Sequence, residues 1–533
     1  MSNMFRLTEE DEAQAVPLLP TIVVNPGELS WQVGAAQDAL IKAADSEPVY
    51  QRSGRLVRPV IEELDATRNR KTKICQLVPI DPTFMRVILS RVAGWERHDR
   101  RANENFATDP PNIVAMGLLS SVGEWKFAAV QGVISTPTMR PDGSLLLSAG
   151  FDAKTGLLLV EPPPMPPLIA LPTKDDAIAA LRLLKELLVE FPFVDDVSRA
   201  VALSGLITPV VRGAFSNAPM HTARASTPGT GKSYLWDTVA AIVIGQPMPV
   251  LSAGESRAEL EKRIASALYK AQPLISLDNL TGELNSDFLC QVIERPNVET
   301  RELGKTFNFP VNTRGNSMFA TGNNFTLVDD LTRRSLTAGL DARMERPELR
   351  QFKFDPVARV LANRGEYIRA ALTICSAYVV AGRPNPAPKL ASFESWSDTV
   401  RSPLMWLGEE DSVKSMEQAR AEDPTLIELS TMLEEWSRLF GIGGENRLKL
   451  EAVLATALSK DKENEGSELE PRHPDFYGVL VDIAFRNHGR RAEPDARTLA
   501  SWLRNKKGRV VGGKRFMNEA HGRHALWWVE ECK

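Results

Sequence analysis

Residues 226–233 read STPGTGKS, and the rest of the chain is placed by how this stretch is read. Gly231, Lys232 and Ser233 match the end of the G-x-x-x-x-G-K-[ST] phosphate-binding pattern, while Ser226 stands where the first glycine belongs. Such a loop wraps backbone N–H groups around phosphates, and its hard turns need glycine. Pro228 and Gly229 keep the turn tight. Residues 220–225 (MHTARA) predict a short strand before the loop, and residues 234–244 (YLWDTVAAIVI) an apolar helix after it. Strand, loop and helix is the context in which a helix N-terminus faces an anion. Pro228, Gly229, Thr230, Gly231, Lys232 and Ser233 are therefore expected to hold ATP. Lys232 would reach the β- and γ-phosphates, and the Ser233 hydroxyl would ligate Mg²⁺. The lysine is expected to face solvent until phosphate arrives.

Three further stretches follow in an order that suits the same chemistry. Residues 274–279 (LISLDN) predict a buried strand ending in a carboxylate, which puts Asp278 beside the loop as a second Mg²⁺ ligand. The next residue is Asn279, not the acid that commonly polarises water there. Either Asn279 positions water by hydrogen bonding or a nearby carboxylate such as Glu283 serves. Residues 317–321 (SMFAT) predict another strand, followed by Gly322, Asn323 and Asn324. Asn323 is placed to sense a γ-phosphate and orient water, although an asparagine pair after a strand also makes a plain turn. Residues 329–335 (DDLTRRS) present Arg333 and Arg334, suited to charge developing in a neighbouring subunit's site or to a surface salt bridge with Asp329 or Asp330. Arg343, Arg346 and Arg350 come after them.

PGTGKS, LISLDN, ATGNN and DDLTRR, in this order and spacing, resemble the AAA+ ATPase core. The variant resembled is the superfamily 3-type replicative helicase of phages and mobile elements, often fused to a primase; no primase active site is evident here. The resemblance spans residues 200–410. Residues 49–59 (VYQRSGRLVRP) and 393–408 (FESWSDTVRSPLMWLG) look like parts of prophage primase–helicase proteins. It implies an α/β fold: a P-loop AAA+-type core, an α+β N-terminal domain, and a helical C-terminal region ending in a winged helix. It also implies ATP and Mg²⁺ as cofactors, single- and double-stranded DNA as partners, a homo-hexameric ring, and a separate primase or other replication proteins nearby. Asp278, Asn279, Asn323, Arg333 and Arg334 would be the catalytic set. Residues 298–311 (VETRELGKTFNFPV) predict a hairpin. In the helicases resembled, a hairpin here enters the central channel, which makes Lys305 the candidate single-strand contact; a solvated hairpin fits the same residues. The departures are Ser226 and Asn279, and the second leaves the catalytic base open.

At 533 residues the chain exceeds one hydrophobic core. The expected division is 1–160, an α+β binding or assembly domain; 161–205, a proline-rich linker and helical collar; 206–345, the ATPase core; 346–410, a helical subdomain; and 411–533, a C-terminal DNA-binding domain. Helices are predicted at 31–44, 85–93 and 111–119, two short strands over 49–60, and a meander over 123–156 turning at Asp142-Gly143. The basic run 95–101 (WERHDRR) reads as a solvated surface or a nucleic-acid contact. Thr173 and Asp176 predict a capping box opening a helix over 174–191. Helices are also predicted at 197–206, 355–380 and 396–408.

The net charge of -4 excludes a uniformly basic coat for nucleic acid. The distribution is uneven, however. Residues 486–523 carry eleven basic side chains against three acidic ones. A helix over 496–505 capped by Asp495, then strands over 509–516 and 524–529, form a winged-helix pattern with Arg504, Lys506, Lys507, Arg509, Lys514 and Arg515 facing DNA. A solvated basic face is the plainer alternative. Four scattered cysteines make no zinc or disulfide pattern and suit a reducing cytoplasm. No run of eighteen apolar residues occurs, so no membrane partner is expected. An ATP-driven helicase is the leading expectation. An AAA+ initiator or remodelling ATPase without processive unwinding comes second, and a DNA-binding adaptor with a degenerate nucleotide switch third.

Overall fold

The structure is a computed structural model describing residues 19–67, 70–99, 101–252, 256–301, 308–461, 470–488, 491–521 and 524–532. At its centre is a five-stranded parallel sheet. The strands in chain order are β1 (Met220–Ala225), β2 (Val250–Ser252), β3 (Leu274–Leu280), β4 (Ser317–Asn323) and β5 (Ser335–Leu340), arranged β2-β3-β4-β1-β5. This is the α/β class expected. Strands β1, β3 and β4 are buried along most of their length. Helices cover parallel strands on both faces, so such strands read as apolar runs, not alternations. His221 in β1 is fully buried, with a ring nitrogen 2.9 Å from Ser204 Oγ. Burial drives its pKa down to about 3, which makes it a neutral core residue.

Around the sheet lie α1 (Lys174–Leu188), α2 (Asp196–Ile207) and α3 (Lys232–Val243). The Thr173–Asp176 capping box forms as predicted, but α1 stops at Leu188. Helix α3 starts two residues earlier than its apolar pattern suggests, because Gly231, in a left-handed conformation, is its N-cap. Trp236 on α3 is fully buried, donates to the Ala320 carbonyl at 3.0 Å and packs on Phe319, fixing the helix to β4. Next come α4 (Arg257–Tyr269), α5 (Asp287–Glu294) and an antiparallel hairpin of Asn297–Arg301 with Asn308–Asn312. The single helix predicted over 355–380 is two, α6 (Pro356–Ala362) and α7 (Arg364–Val380), broken at Asn363. The stretch 396–408 is also interrupted. A π turn, Ser397–Arg401, precedes Ser402–Trp406, because Pro403 has no N–H to return to the preceding turn.

The N-terminal residues form helices Leu29–Lys42, Pro82–Val92 and Asn112–Ser120 beside an antiparallel sheet of Tyr50–Arg52, Arg55–Ala66 and Arg70–Pro79. The predicted Ser-Gly turn is there, with φ of 49° at Ser53 and 72° at Gly54. The basic run is the hairpin Gly94–Asp99 with Glu104–Ala107. The expected meander is not one: Gly132–Ile134 runs parallel to Leu157–Leu159, although Thr138–Met139 and Leu145–Leu146 do pair across the Asp142-Gly143 turn. This region is tied to α3, α4 and the 297–312 hairpin around the central sheet. The buried Arg52 guanidinium donates to the carbonyls of Leu268 (2.8 Å), Asn312 (2.9 Å), Val130 and Tyr269 (both 3.3 Å), and Gln131. Burial lowers its pKa to about 10, and the carbonyls offset the cost of desolvation. Asp237 of α3, fully buried, accepts from Thr67 at 2.6 Å and pairs with Arg70. Residues 161–172 have no regular structure but are docked, since a Cβ on Gly365 would meet the Pro164 carbonyl at 2.3 Å.

The C-terminal helices are α8 (Lys414–Ala421), α9 (Pro424–Phe440), α10 (Leu450–Ala457), α11 (Pro474–Ala484) and α12 (Ala496–Lys506), followed by the hairpin β6 (Lys514–His521) and β7 (His524–Glu531). From α9 onward they share a separate core around Trp436, Phe476, Phe516 and Trp527, into which α12 inserts Leu499 and Leu503. The hairpin's first strand starts at Lys514, not 509, because Gly512 and Gly513 turn the chain with positive φ. The acidic stretch 463–470 lies almost wholly outside the described residues. Among the described residues no helix is long and apolar enough to cross a membrane.

Candidate functional site

Strand β1 delivers residues 226–233 to the C-terminal edge of the sheet, with φ of +79° at Gly229 and +100° at Gly231. Pro228 to Ser233 turn directly into α3. The expectation that Lys232 faces solvent is wrong: the residue is 8% exposed. Its ammonium donates back to Thr227 O at 3.3 Å and to the buried Thr230 Oγ1 at 3.2 Å. Burial lowers its pKa, against the pull of Asp278. The short helix Pro347–Leu349 crosses the loop at Gly229, where a Cβ would lie 3.1 Å from the Glu348 backbone nitrogen. Nothing in the sequence marks that crossing beyond an arginine-rich stretch. Arg350 at its end donates to the Glu190 carbonyl, and its Nη1 is buried without a partner among the described residues.

Asp278 is aimed by a defect in β3. The register against β4 slips between Leu277 and Leu280, and Asn279 takes φ +58°. A bulge of this kind re-aims a side chain at a strand end. Asp278 Oδ1 accepts from Thr321 Oγ1 and faces Ser233 Oγ at 3.5 Å. Thr321 was missed in the sequence, since nothing in SMFAT distinguishes a threonine facing a carboxylate from one in a core. Gly322 accommodates the bulge: a Cβ there would lie 2.3 Å from Leu280 O. Asn279 is exposed, and Glu283 is exposed beyond it in register with Thr326. Asn323 ends β4 with its side-chain oxygen buried and, among the described residues, unpartnered. One hydroxyl and one carboxylate 3.5 Å apart are a hard oxygen pair that Mg²⁺ accepts, directly or through its waters.

The two arginines differ. Arg333 has a half-exposed side chain paired with Asp330 at 3.0 Å. The Arg334 side chain is 5% exposed and is held by Glu294 and, at 2.9 Å, by Asp330. Lys305 lies outside the described residues. Among the C-terminal basic residues, Arg504 and Lys507 are exposed, Lys506 and Lys514 half-buried. Two others are engaged elsewhere. Arg515 pairs with Glu530, and Arg509, off the hairpin, reaches Asp329 at 3.0 Å. A groove of about 480 Å³ runs between α12 and the hairpin, lined by Arg497, Arg504, Asn518 and Trp527 among others.

No protein-family model and no curated protein sequence matches the chain. Among solved structures, the apo NrS-1 C-terminal region (305–718) is similar at 10% identity and a TM-score of 0.37, over 88% of this chain and 96% of that one. The SCCmec type IV Cch active helicase is similar at 10% identity and a TM-score of 0.32, over 91% and 97%. A JCV helicase with a bound small molecule aligns at 12% identity and a TM-score of 0.19, over 49% and 72%. At scores this low, any functional assignment has to come from the chain's own residues.

Proposed function

We propose that this chain is an ATP hydrolase of the AAA+, superfamily 3-type helicase class, working as a homo-hexameric ring on DNA during replication of a phage or mobile element. The observation that carries this is the meeting of Ser233 and Asp278, 3.5 Å apart, beside a glycine loop with a buried lysine at a helix N-terminus. In this scheme the phosphates of ATP take over the donors that Lys232 now spends on Thr227 and Thr230. Mg²⁺, when bound, neutralises charge on the phosphate oxygens. Ser233 and Asp278 would hold it, with Thr321 fixing the carboxylate. Asn323, whose oxygen has no partner among the described residues, orients the attacking water together with Asn279 or Glu283. Arg333, on an exposed turn, serves the site of the next subunit; the buried Arg334 anchors that turn.

The C-terminal helices and hairpin would bind duplex DNA as a winged helix. Here α12 presents Arg504, and Lys506, Lys507 and Lys514 meet phosphate. Lys305, in the sequence between Arg301 and Asn308, would grip the single strand, with a primase acting as a separate protein. The test is DNA-stimulated ATP hydrolysis together with strand displacement on forked DNA. Hydrolysis without displacement would replace the helicase with an initiator or remodelling ATPase. DNA binding with neither would leave a non-enzymatic adaptor.

A further inference from the structure

Asp329 begins the turn Asp329–Arg333 and has φ +52°, a left-handed conformation that a non-glycine residue keeps only when its surroundings enforce it. The surroundings come from two directions. From the C-terminal region, the fully buried Asp423 accepts the Asp329 backbone N–H at 2.9 Å while also capping α9 through Thr425 N. Thr425 Oγ1 and Arg509 Nη1 both reach Asp329 Oδ1, at 3.3 and 3.0 Å. From the other side Asn285, shortly after β3, donates to Asp329 Oδ2 at 3.1 Å. The Asp329 carbonyl then accepts from Thr332 Oγ1 at 2.7 Å inside the turn. One residue is therefore held by the segment that follows the strand carrying Asp278, by the cap of α9, and by the arginine just after α12.

We propose that Asp329 and Arg509 are positioning residues that set the aim of Arg333, so that the C-terminal domain controls how well a ring subunit serves its neighbour's nucleotide site. This rests on the assignment of Arg333 to the neighbouring site. Arg509 follows α12 by three residues, and both partners of the ion pair are about one-third exposed, so movement of α12 on DNA reaches the pair directly. The link explains why Arg509 is spent on an aspartate of the sheet domain and is not displayed with Arg504 and Lys507. The contact is one N–H to one oxygen, not a fork, so a lysine can replace it.

The experiment uses the full-length protein and its Arg509→Ala, Arg509→Lys and Arg333→Ala variants, each checked for assembly and thermal unfolding. Arg509→Ala is expected to lower kcat for ATP between about tenfold and a hundredfold, the scale of a small misplacement. KM, affinity for a non-hydrolysable ATP analogue and unfolding temperature should stay near wild type, and Arg509→Lys should recover most of the rate. Arg333→Ala should show the same split more severely. If Arg333→Ala loses hydrolysis while Arg509→Ala keeps wild-type kcat with and without DNA, the positioning role is wrong and the neighbour-site assignment stands. If Arg333→Ala itself hydrolyses normally, that assignment falls first. A loss in Arg509→Ala matched by equal losses of nucleotide affinity and unfolding temperature would show structural damage and overturn the proposal.

Discussion

Replacing each of the adjacent arginines by alanine should give opposite phenotypes, and the size of the difference follows from burial. The Arg334 side chain is 5% exposed and holds two carboxylates, Glu294 and Asp330. Without it, Glu294, about a quarter exposed, keeps only the Ser392 hydroxyl among the described residues, and Asp330 keeps Arg333. Breaking a buried pair from one side costs about 3–5 kcal/mol, because a charge is left behind uncompensated. Asp330 is mostly solvated, so its share is small, which leaves about 2–3 kcal/mol. Arg333→Ala loses an exposed pair and should change stability by less than about 1 kcal/mol. Urea unfolding followed by tryptophan fluorescence reads this, since Trp236 and Trp396 lie in the same core.

The pH dependence gives a second check on Arg334. Burial pushes the Glu294 pKa up, but hydrogen bonds from Ser392 and Arg334 and the charge of Arg334 outweigh it, and the net shift is downward. Asp330 is lowered by its Arg333 bond despite partial burial, with Arg334 adding to the effect. Carboxylates with depressed folded pKa values stabilise fully above their unfolded values, about 4, and lose that stabilisation as pH falls through the folded values. The gap between wild type and Arg334→Ala should therefore be widest near neutrality and narrow below about pH 4. Equal urea midpoints for Arg333→Ala and Arg334→Ala would refute the reasoning, as would a gap that widens in acid.

Lys232→Ala should abolish ATP hydrolysis in a steady-state assay at a small cost in unfolding temperature, because the buried ammonium also ties Thr227 to Thr230; wild-type turnover would remove the nucleotide assignment. Gly322→Ala should destabilise the sheet and lower hydrolysis together, since its Cβ has no room beside Leu280 O; an unfolding midpoint equal to wild type would count against the bulge as the device that aims Asp278. Arg504→Ala and Lys507→Ala should each weaken duplex binding and flatten the slope of log affinity against log salt by about 0.9, whereas Arg515→Ala, already paired with Glu530, should change the slope little.

The loop and the strands over 220–225, 274–279 and 317–321 were legible in the sequence because each is specified locally, whereas Val250–Ser252, Ser335–Leu340 and the order of the five strands in the sheet were not. Glycines at 229 and 231 fix a turn, apolar runs fix buried parallel strands, and Thr173 with Asp176 fixes a helix start. A capping box or a glycine turn needs only its own few residues, so composition and spacing suffice to find it. What the tertiary structure alone decided is where long side chains end. Lys232 is folded inward, Arg334 buried against Glu294, and Arg509 turned from its expected DNA face to Asp329. Those partners lie up to 180 residues away along the chain. The alternatives, a solvated charge or an ion pair, have identical sequence signatures, and only the packing that excludes water selects between them. The bulge at Asn279 belongs with these cases. A strand ending in LDN has no local feature demanding a register slip; the slip exists because β4 offers Gly322 as the gap and Thr321 as the hydroxyl that Asp278 turns to meet.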